Sequence, residues 1–279
     1  MVRQVERDGI LTRCAGGDHT AELTDRESVA ERLLVASRRH SFDPDSDVDW
    51  TAPIDPDLFF MPPQCVSLYE TPMWDRLDHG ARVELSKQEA ASAATIGIWF
   101  EVILVQLLAR HVYDEDLTSK HVAYALTEIA DECRHSVMFG RMIDTIGAPA
   151  YRPRPLTHLR GRLLKTVAGP APSFAAILIA EEILDTFQRA TFPDEGIQPI
   201  VRDVTRIHVI EEARHVRYAR EELKRQMAAC SPAERELTRW VTARAAQTIA
   251  GNLVHPGCYP AVGLDARTAR RAARASPHR

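Results

Sequence analysis

Two segments of the sequence repeat the same pair of potential metal ligands, a glutamate followed three positions later by a histidine. The pairs are Glu132-Cys-Arg-His135 and Glu212-Ala-Arg-His215. Residues three apart share one face of an α-helix, so each pair can present a carboxylate oxygen and an imidazole nitrogen to one metal ion. One pair alone is weak evidence, because both residue types are common on helix surfaces. Two pairs in two long helical segments predict a metal centre.

Two further carboxylates lie on apolar faces of predicted helices. Glu101 is surrounded at helical spacing by Gly97, Ile98, Leu104 and Val105. Glu181 shares its face with Phe174, Ile177, Leu178 and Leu184. The adjacent Glu182 shares its face with Asp185, Thr186 and Arg189, so we expect Glu181 to be the buried one.

The spacing of the four glutamates indicates an internal repeat. The separation of 31 positions between Glu101 and Glu132 recurs between Glu181 and Glu212, which is an offset of 80 positions. Burying a carboxylate without a partner costs several kcal/mol, so four of them need added positive charge. Two divalent cations would supply it, and a ligand set of oxygen and nitrogen without thiolate favours iron or manganese over structural zinc.

Three more polar residues lie close to these pairs in the sequence. His208 stands four positions before Glu212 on the same face, where it is either a third histidine ligand or a packed histidine. Asp131 and Glu211 directly precede the paired glutamates. Each can accept a hydrogen bond from the ring nitrogen of a ligand histidine that does not face the metal. For Glu211, a surface ion pair is an equal alternative.

The elements that must position these residues are four long helices. The apolar periodicity and the proline and glycine stops predict them at 82–112, 118–146, 173–191 and 199–229. Outer helices are predicted at 25–39 and 232–249, the latter with Ser231 as N-cap and Pro232 at its first position. The Pro-rich segment 41–72 predicts a long ordered loop. We therefore expect an all-α protein built on a four-helix bundle with added peripheral helices.

The domain organisation follows from the same pattern. We expect a flexible N-terminal arm at 1–24 and a single domain at 25–254 whose core bundle spans about 82–229. The last segment, 255–279, is rich in arginine and alanine. Its last fifteen residues fit either a short basic helix that docks on another surface or a frayed tail, and we expect the tail because charge-rich chain ends are usually solvated.

The composition names no partner by itself. The 279 residues include 39 acidic and 35 basic side chains, and the net charge of −4 offers no chain-wide attraction for nucleic acid or an anionic membrane. The five cysteines are scattered without a C-x-x-C pair, which favours a reducing cytoplasm. The N-terminus lacks the apolar core of a signal peptide, and Glu101 interrupts the longest apolar run, 93–109. We expect neither nucleic acid nor a membrane as partner.

At this point the residues resemble a known family, the ferritin-like di-iron N-oxygenases, whose best-known members oxidise arylamines to nitroarenes. The matching segments are Trp99-Phe-Glu-Val-Ile, Ile129-Ala-Asp-Glu-Cys-Arg-His135, Ala180-Glu181, Ile197-Gln-Pro199 and His208-Val-Ile-Glu-Glu-Ala-Arg-His215. The family uses an extra histidine four positions before its second Glu-x-x-His pair, which is the place of His208. The resemblance thus implies a seven-residue ligand set comprising Glu101, Glu132, His135, Glu181, His208, Glu212 and His215.

The resemblance also implies cofactors and a reaction. It implies two iron ions, with manganese as an alternative at one site, O2 as co-substrate, and oxygen transfer to the nitrogen of a small-molecule amine. The sequence has no G-x-G-x-x-G loop for a flavin or nicotinamide, so electrons would come from a separate donor. The chain is shorter at its carboxyl end than the arylamine oxidisers, and equivalents of the polar residues with which they hold an aromatic carboxylate were not found.

Other functions fit the same residues. A di-iron hydroxylase or desaturase would act at carbon, and a ferritin-like protein would store iron or scavenge oxidants. The uninterrupted apolar lining around Glu101 and the extra His208 disfavour storage, which needs open iron traffic. A metal-free helical scaffold would bind no metal at all. Because the helices are so apolar, a homodimer is plausible.

Overall fold

The computed structural model describes residues 19–276, with side chains from residue 26 onward, and within that range it contains helices, loops and no strand. An isolated β-bridge joins Phe59 and Ile197. The helices are α1 (His19–Arg39), α2 (Pro44–Asp47), α3 (Pro72–Asp75), α4 (His79–Val112), α5 (Lys120–Thr145), α6 (Pro155–Val167), α7 (Pro170–Thr191), α8 (Pro199–Ala229), α9 (Pro232–Ala250) and α10 (Ala266–Arg274). The predicted all-α helical bundle is confirmed.

Four long helices, α4, α5, α7 and α8, form the bundle as two hairpins, α4 with α5 and α7 with α8. Asp78 and Ser119 cap α4 and α5 by accepting hydrogen bonds from the backbone N–H groups of Ala81 and Val122. Past the end of α5, Gly147 adopts a left-handed conformation with φ of 66°. The observed bounds of the four bundle helices agree with the predicted bounds to within three residues, and the bounds of α8 are identical to the predicted ones.

The core has two apolar clusters, placed toward opposite ends of the bundle. One includes Leu85, Met138 and Ile207, and the other includes Leu104 and Tyr218. On α5 and α8, the segments that carry the Glu-x-x-His pairs lie between the two clusters. The polar site therefore has apolar packing on both sides, which keeps water away from it.

Helix α4 passes a simple test for a membrane span on length and composition. More than half of that apolar stretch is buried inside the bundle, however, as is usual for the central helix of a folded core. It is therefore weak evidence for a span.

The N-terminal and loop predictions have mixed outcomes. Residues 1–18 of the predicted arm lie outside the described residues, and α1 begins at His19 rather than at residue 25. The Pro-rich segment is mainly a loop that includes the single-turn helix α2, and α3 follows at its end. This segment contributes to the core, because Phe60, Met61 and Leu68 are buried in the first core cluster.

The frayed tail expected over the last fifteen residues is wrong for the part that the structure describes, and the alternative of a short basic helix is correct there. Residues 266–274 form α10, and its Ala269 and Ala273 are fully buried against the first core cluster. Cys258 and Tyr259 before it are buried in the same cluster. The alanines recur at helical spacing, so their small faces pack inward while arginines take the other positions. The boundary predicted after residue 254 therefore does not end the folded core.

Helix α6 was not predicted. Its inner face packs on α4, where Gly161 lies against the Trp99 ring and the Ile103 side chain. An added Cβ at Gly161 would come within 2.5 Å of the ring and 2.8 Å of Ile103. Close approach of α6 to α4 therefore requires glycine at this position.

Replacing this glycine should loosen the packing of α6. We expect Gly161→Ala to lower the free energy of unfolding by about 1–2 kcal/mol, because the clash outweighs the gain in helix propensity. In the control Gly140→Ala, on α5, an added Cβ meets nothing within 4 Å. That variant should be more stable by about 0.5–1 kcal/mol. Urea unfolding of the metal-free proteins measures both, and equal stabilisation by the two variants would contradict a tight α6–α4 contact.

Candidate metal centre

All seven predicted metal ligands are fully buried, and all four bundle helices contribute. Helix α4 carries Glu101, α5 carries Glu132 and His135, and α7 carries Glu181. Helix α8 carries the remaining three, His208, Glu212 and His215. Their assembly in one place follows from the repeat, because two similar hairpins face each other across the bundle. The role of these residues as ligands stays a prediction.

The two histidines of the repeated pairs have the same orientation. His135 directs Nδ1 at Glu132 (3.0 Å) and Glu212 (3.3 Å). His215 directs Nδ1 at the same two carboxylates, at 2.8 and 3.0 Å. His208 approaches from the side, with Nε2 3.4 Å from Glu101 and 3.5 Å from Glu212. Glu132 and Glu212 thus lie at the centre of a ring of imidazole nitrogens.

The potential ligand atoms form two overlapping groups. Glu132, His135, Glu212 and His215 offer atoms that all lie within 4.8 Å of one another. Glu101, Glu132 and His208 form a second group by the same measure. Glu132 belongs to both groups, so it could contribute an oxygen to an ion held by either one.

Glu181 lies outside both groups but belongs to the same electrostatic system. Burial, followed by the carboxylates of Glu212, Glu101 and Glu132, raises its pKa well above the usual value. Burial and then Glu132 raise the pKa of Glu101 in the same direction. Among the described residues, neither Glu181 oxygen has a hydrogen-bond donor, and the same holds for Oε2 of Glu101 and of Glu212. Unsatisfied buried carboxylate oxygens beside imidazole nitrogens fit a site for hard divalent cations.

Without metal, protons on the histidines balance the central carboxylates. Burial lowers the pKa of His215, but Glu212 and Glu132 outweigh it and raise that pKa well above its usual value. Burial and Glu212 raise the pKa of Glu132, yet the charge of His215 and the hydrogen bond from His135 bring it down to about 2. Metal ligation requires neutral imidazole, so metal binding should release protons from this site.

The far nitrogens of the same two histidines are held by acids on the opposite helix. His135 Nε2 lies 2.8 Å from Glu211, and His215 Nε2 lies 3.3 Å from Asp131. Arg134 lies 2.6 Å from Asp131. Arg214 lies within 3.6 Å of both acids. The acids therefore fix each ring so that Nδ1 faces the central carboxylates.

Removing one of these acids should weaken metal binding without removing a ligand. We expect Glu211→Ala to reduce metal affinity about 10–100-fold, because His135 loses the acceptor that fixes its ring. Glu211→Gln retains an acceptor oxygen and should recover most of the loss. Competition with a chromophoric chelator measures the affinity. The control is Glu221→Ala on the same helix, whose partners Lys224 and Arg217 lie near the surface; an equal loss there would contradict the positioning role.

Glu128 was not assigned a role from the sequence. It is buried four positions before Glu132, and neither of its oxygens has a hydrogen-bond donor in the described part of the chain. Burial, despite the nearby His215, raises its pKa well above the usual value. The 80-position offset that places His208 before Glu212 also places Glu128 before Glu132, so the internal repeat is the signal that could have assigned Glu128 to the site.

A second buried polar cluster joins α1 to α4, α5 and α8. Arg26 contacts both carboxylate oxygens of Glu222 at 3.1 Å and His111 Nε2 at 3.3 Å, and it contacts His121 Nε2. Burial and then Arg26 lower the pKa of His121 to about 2. His111, His121 and Glu222 are close enough to hold an ion. The guanidinium of Arg26 already supplies the positive charge here, so we assign the cluster a structural role.

The comparisons with known proteins agree with this geometry. The model of the p-aminobenzoate N-oxygenase AurF family matches residues 23–279. The chain belongs to the AurF family. The match includes α10 and extends well beyond the segments on which the sequence resemblance rested. AurF proteins are ferritin-like oxygenases that act on small molecules, and the buried His/Glu cluster of this member can hold metal.

Two mycobacterial relatives are also similar to this AurF-family chain. They are the uncharacterized proteins Mb0909 of Mycobacterium bovis and Rv0885 of Mycobacterium tuberculosis. Each is 29% identical over 231 residues, which cover 80% of this chain and 68% of the relative. Their names add no substrate to the family assignment.

Proposed function

We propose that this protein is a di-iron monooxygenase that transfers oxygen from O2 to the nitrogen of a small-molecule amine. The observation that carries the proposal is the buried set of four glutamates and three histidines, in which Glu132 belongs to both ligand groups. Membership of the AurF family supports the oxygenase chemistry. The ligands would be the seven residues named above, with two iron ions as cofactor.

Each part of the site has a task in this proposal. A bound di-iron pair supplies the reduction of O2 and the transfer of one oxygen atom. Glu132 and Glu212 lie between the histidines and would help to hold the two ions. Glu211 and Asp131 hold the imidazole rings through their Nε2–H groups. Buried apolar side chains on both sides of the site exclude water that would consume the oxidant.

The test combines metal content with product analysis. Purified protein should contain about two iron ions per chain. With a chemical reductant, O2 and a panel of aryl and alkyl amines, mass spectrometry should detect oxygen added at nitrogen, with label incorporated from ¹⁸O2. Iron-free protein that also binds no iron or manganese on reconstitution would contradict the metal centre.

Two glutamate variants make the test specific. Glu132→Ala removes the residue common to both groups and should abolish turnover and most of the bound metal. Glu182→Ala is a matched control, since Glu182 is exposed on α7 and pairs with Arg220 at 2.6 Å. The Glu182→Ala variant should retain both turnover and bound metal. Products that carry oxygen only at carbon would show that the enzyme is a hydroxylase and not an N-oxygenase. Multi-turnover iron oxidation with mineral formation would favour an iron-storage protein.

We further propose a separate electron donor, a homodimer and a cytoplasmic location. No flavin or nicotinamide motif occurs in the sequence, so reduction of the iron would depend on another protein. The four cysteines within the described residues, Cys65, Cys133, Cys230 and Cys258, are free thiols. Free thiols are compatible with a reducing compartment.

A further inference from the structure

The outer face of α6 is an apolar stripe. Leu156, Leu159, Leu163 and Val167 recur at spacings of three and four residues and are 59%, 61%, 60% and 66% exposed. The opposite face, with Thr157 and Gly161 buried, packs toward α4. Four large apolar side chains in line along one exposed helix are unusual for a surface that contacts only water.

The chain around this stripe is strongly basic. Between Asp144 and Glu181 the sequence has no acidic residue, although the chain as a whole carries −4. It has five basic ones in the same interval, Arg152, Arg154, Arg160, Arg162 and Lys165. Arg152, Arg160 and Arg162 are exposed, and none has a carboxylate within 4 Å among residues 26–276. A local positive field therefore surrounds the apolar stripe.

These charges limit what can cover the stripe. A symmetric dimer formed through α6 would bring the same basic segment of two copies together, and their repulsion would oppose the contact. An anionic surface would instead attract the basic segment around α6. Helices with leucine on one face and arginine or lysine around it characteristically lie in the interface of anionic bilayers. Arginine side chains there reach the lipid headgroups while the apolar residues enter the boundary below them.

We propose that α6 docks this protein on an anionic lipid membrane. The stripe of Leu156, Leu159, Leu163 and Val167 enters the interfacial layer, and Arg152, Arg160 and Arg162 contact phosphate headgroups. The helix lies on the surface and does not span the bilayer. The expectation of no membrane partner rested on the charge of the whole chain, which conceals the basic segment around α6.

Vesicle flotation with the full-length, metal-loaded protein tests the proposal. The wild type should float with vesicles of equal parts phosphatidylglycerol and phosphatidylcholine and remain behind with phosphatidylcholine alone. Raising the salt to molar sodium chloride should weaken binding, because headgroup attraction is screened. Leu159→Ser/Leu163→Ser and Arg160→Gln/Arg162→Gln should each reduce the vesicle partition coefficient at least about tenfold.

Matched controls distinguish binding through α6 from non-specific adsorption to vesicles. Leu126→Ser/Val137→Ser changes two exposed apolar residues on α5, and Arg239→Gln/Arg244→Gln removes two exposed charges from α9. Both should bind vesicles as the wild type does. Wild-type protein that fails to float, or stripe variants that float equally well, would overturn the proposal. If the stripe variants instead change the sedimentation mass from dimer to monomer and no form floats, the face belongs to a second copy.

Discussion

Metal loading should raise the thermal unfolding midpoint by at least about 10 °C. The buried carboxyl groups of Glu101 and Glu181 oppose folding of the metal-free protein, and divalent ions would neutralise them while replacing the protons on the histidines. A ligand at a thousand times its Kd stabilises the folded state by about 4 kcal/mol per site. Each kcal/mol shifts the midpoint of a chain of this size by about 2–4 °C. Anaerobic calorimetry with ferrous or manganous ion, before and after chelation, measures the shift.

An isosteric pair of variants shows whether the rise comes from this site. Glu181→Gln removes a carboxylate that has no hydrogen-bond donor and whose pKa burial raises. Its metal-free stability should stay within about 1 kcal/mol of the wild type, because the group removed was itself unfavourable. The metal-dependent rise should fall by at least half. Glu182→Gln, the exposed neighbour, should keep the full rise. A full rise in Glu181→Gln would contradict our placement of Glu181 among the ligands.

The features that could be predicted from the sequence share a local signal. The bounds of α8 and the capping of α9 by Ser231 follow from residues adjacent in the chain. The burial of the proposed ligands follows from helical spacing and from the recurrence after 80 positions, because a repeat places equivalent residues at equivalent depths. Glu181 could be separated from Glu182 because their helical neighbours differ in polarity.

The features that were missed depend on contacts between distant residues. Helix α6 exposes three of its four leucines and buries Thr157 and Gly161, so its pattern does not indicate an inward apolar face. Helix α10 packs through alanine, which resembles a solvated Ala/Arg tail in composition. Arg26 and Glu222 are 196 positions apart. Spacing within one helix cannot bring such a pair together, and only the assembled bundle shows that they meet.

That pair leads to the second large effect, a loss of stability in Arg26→Gln. Glu222 is fully buried, and the Arg26 guanidinium contacts both of its carboxylate oxygens. Arg225 still contacts one carboxylate oxygen at 2.8 Å, so removing Arg26 leaves the buried charge only partly compensated, and we expect the free energy of unfolding to fall by about 3 kcal/mol. The contacts of Arg26 to His111 and His121 disappear as well, which loosens α1 from the bundle. Urea unfolding monitored by circular dichroism measures the loss.

A double variant distinguishes the charge effect from a loss of packing. Arg26→Gln/Glu222→Gln removes both charges and should recover at least half of the loss, because no buried carboxylate then lacks its partner. Arg239→Gln, which breaks a surface pair with Glu236, should change stability by less than about 0.5 kcal/mol. If the double variant is as unstable as Arg26→Gln, the shape of the arginine side chain and not its charge holds α1 in place. The same measurement tests the structural role that we assign to this cluster. If His111, His121 and Glu222 formed a metal site, the loss of Arg26 would make that site more accessible. Added divalent ion would then stabilise Arg26→Gln against urea.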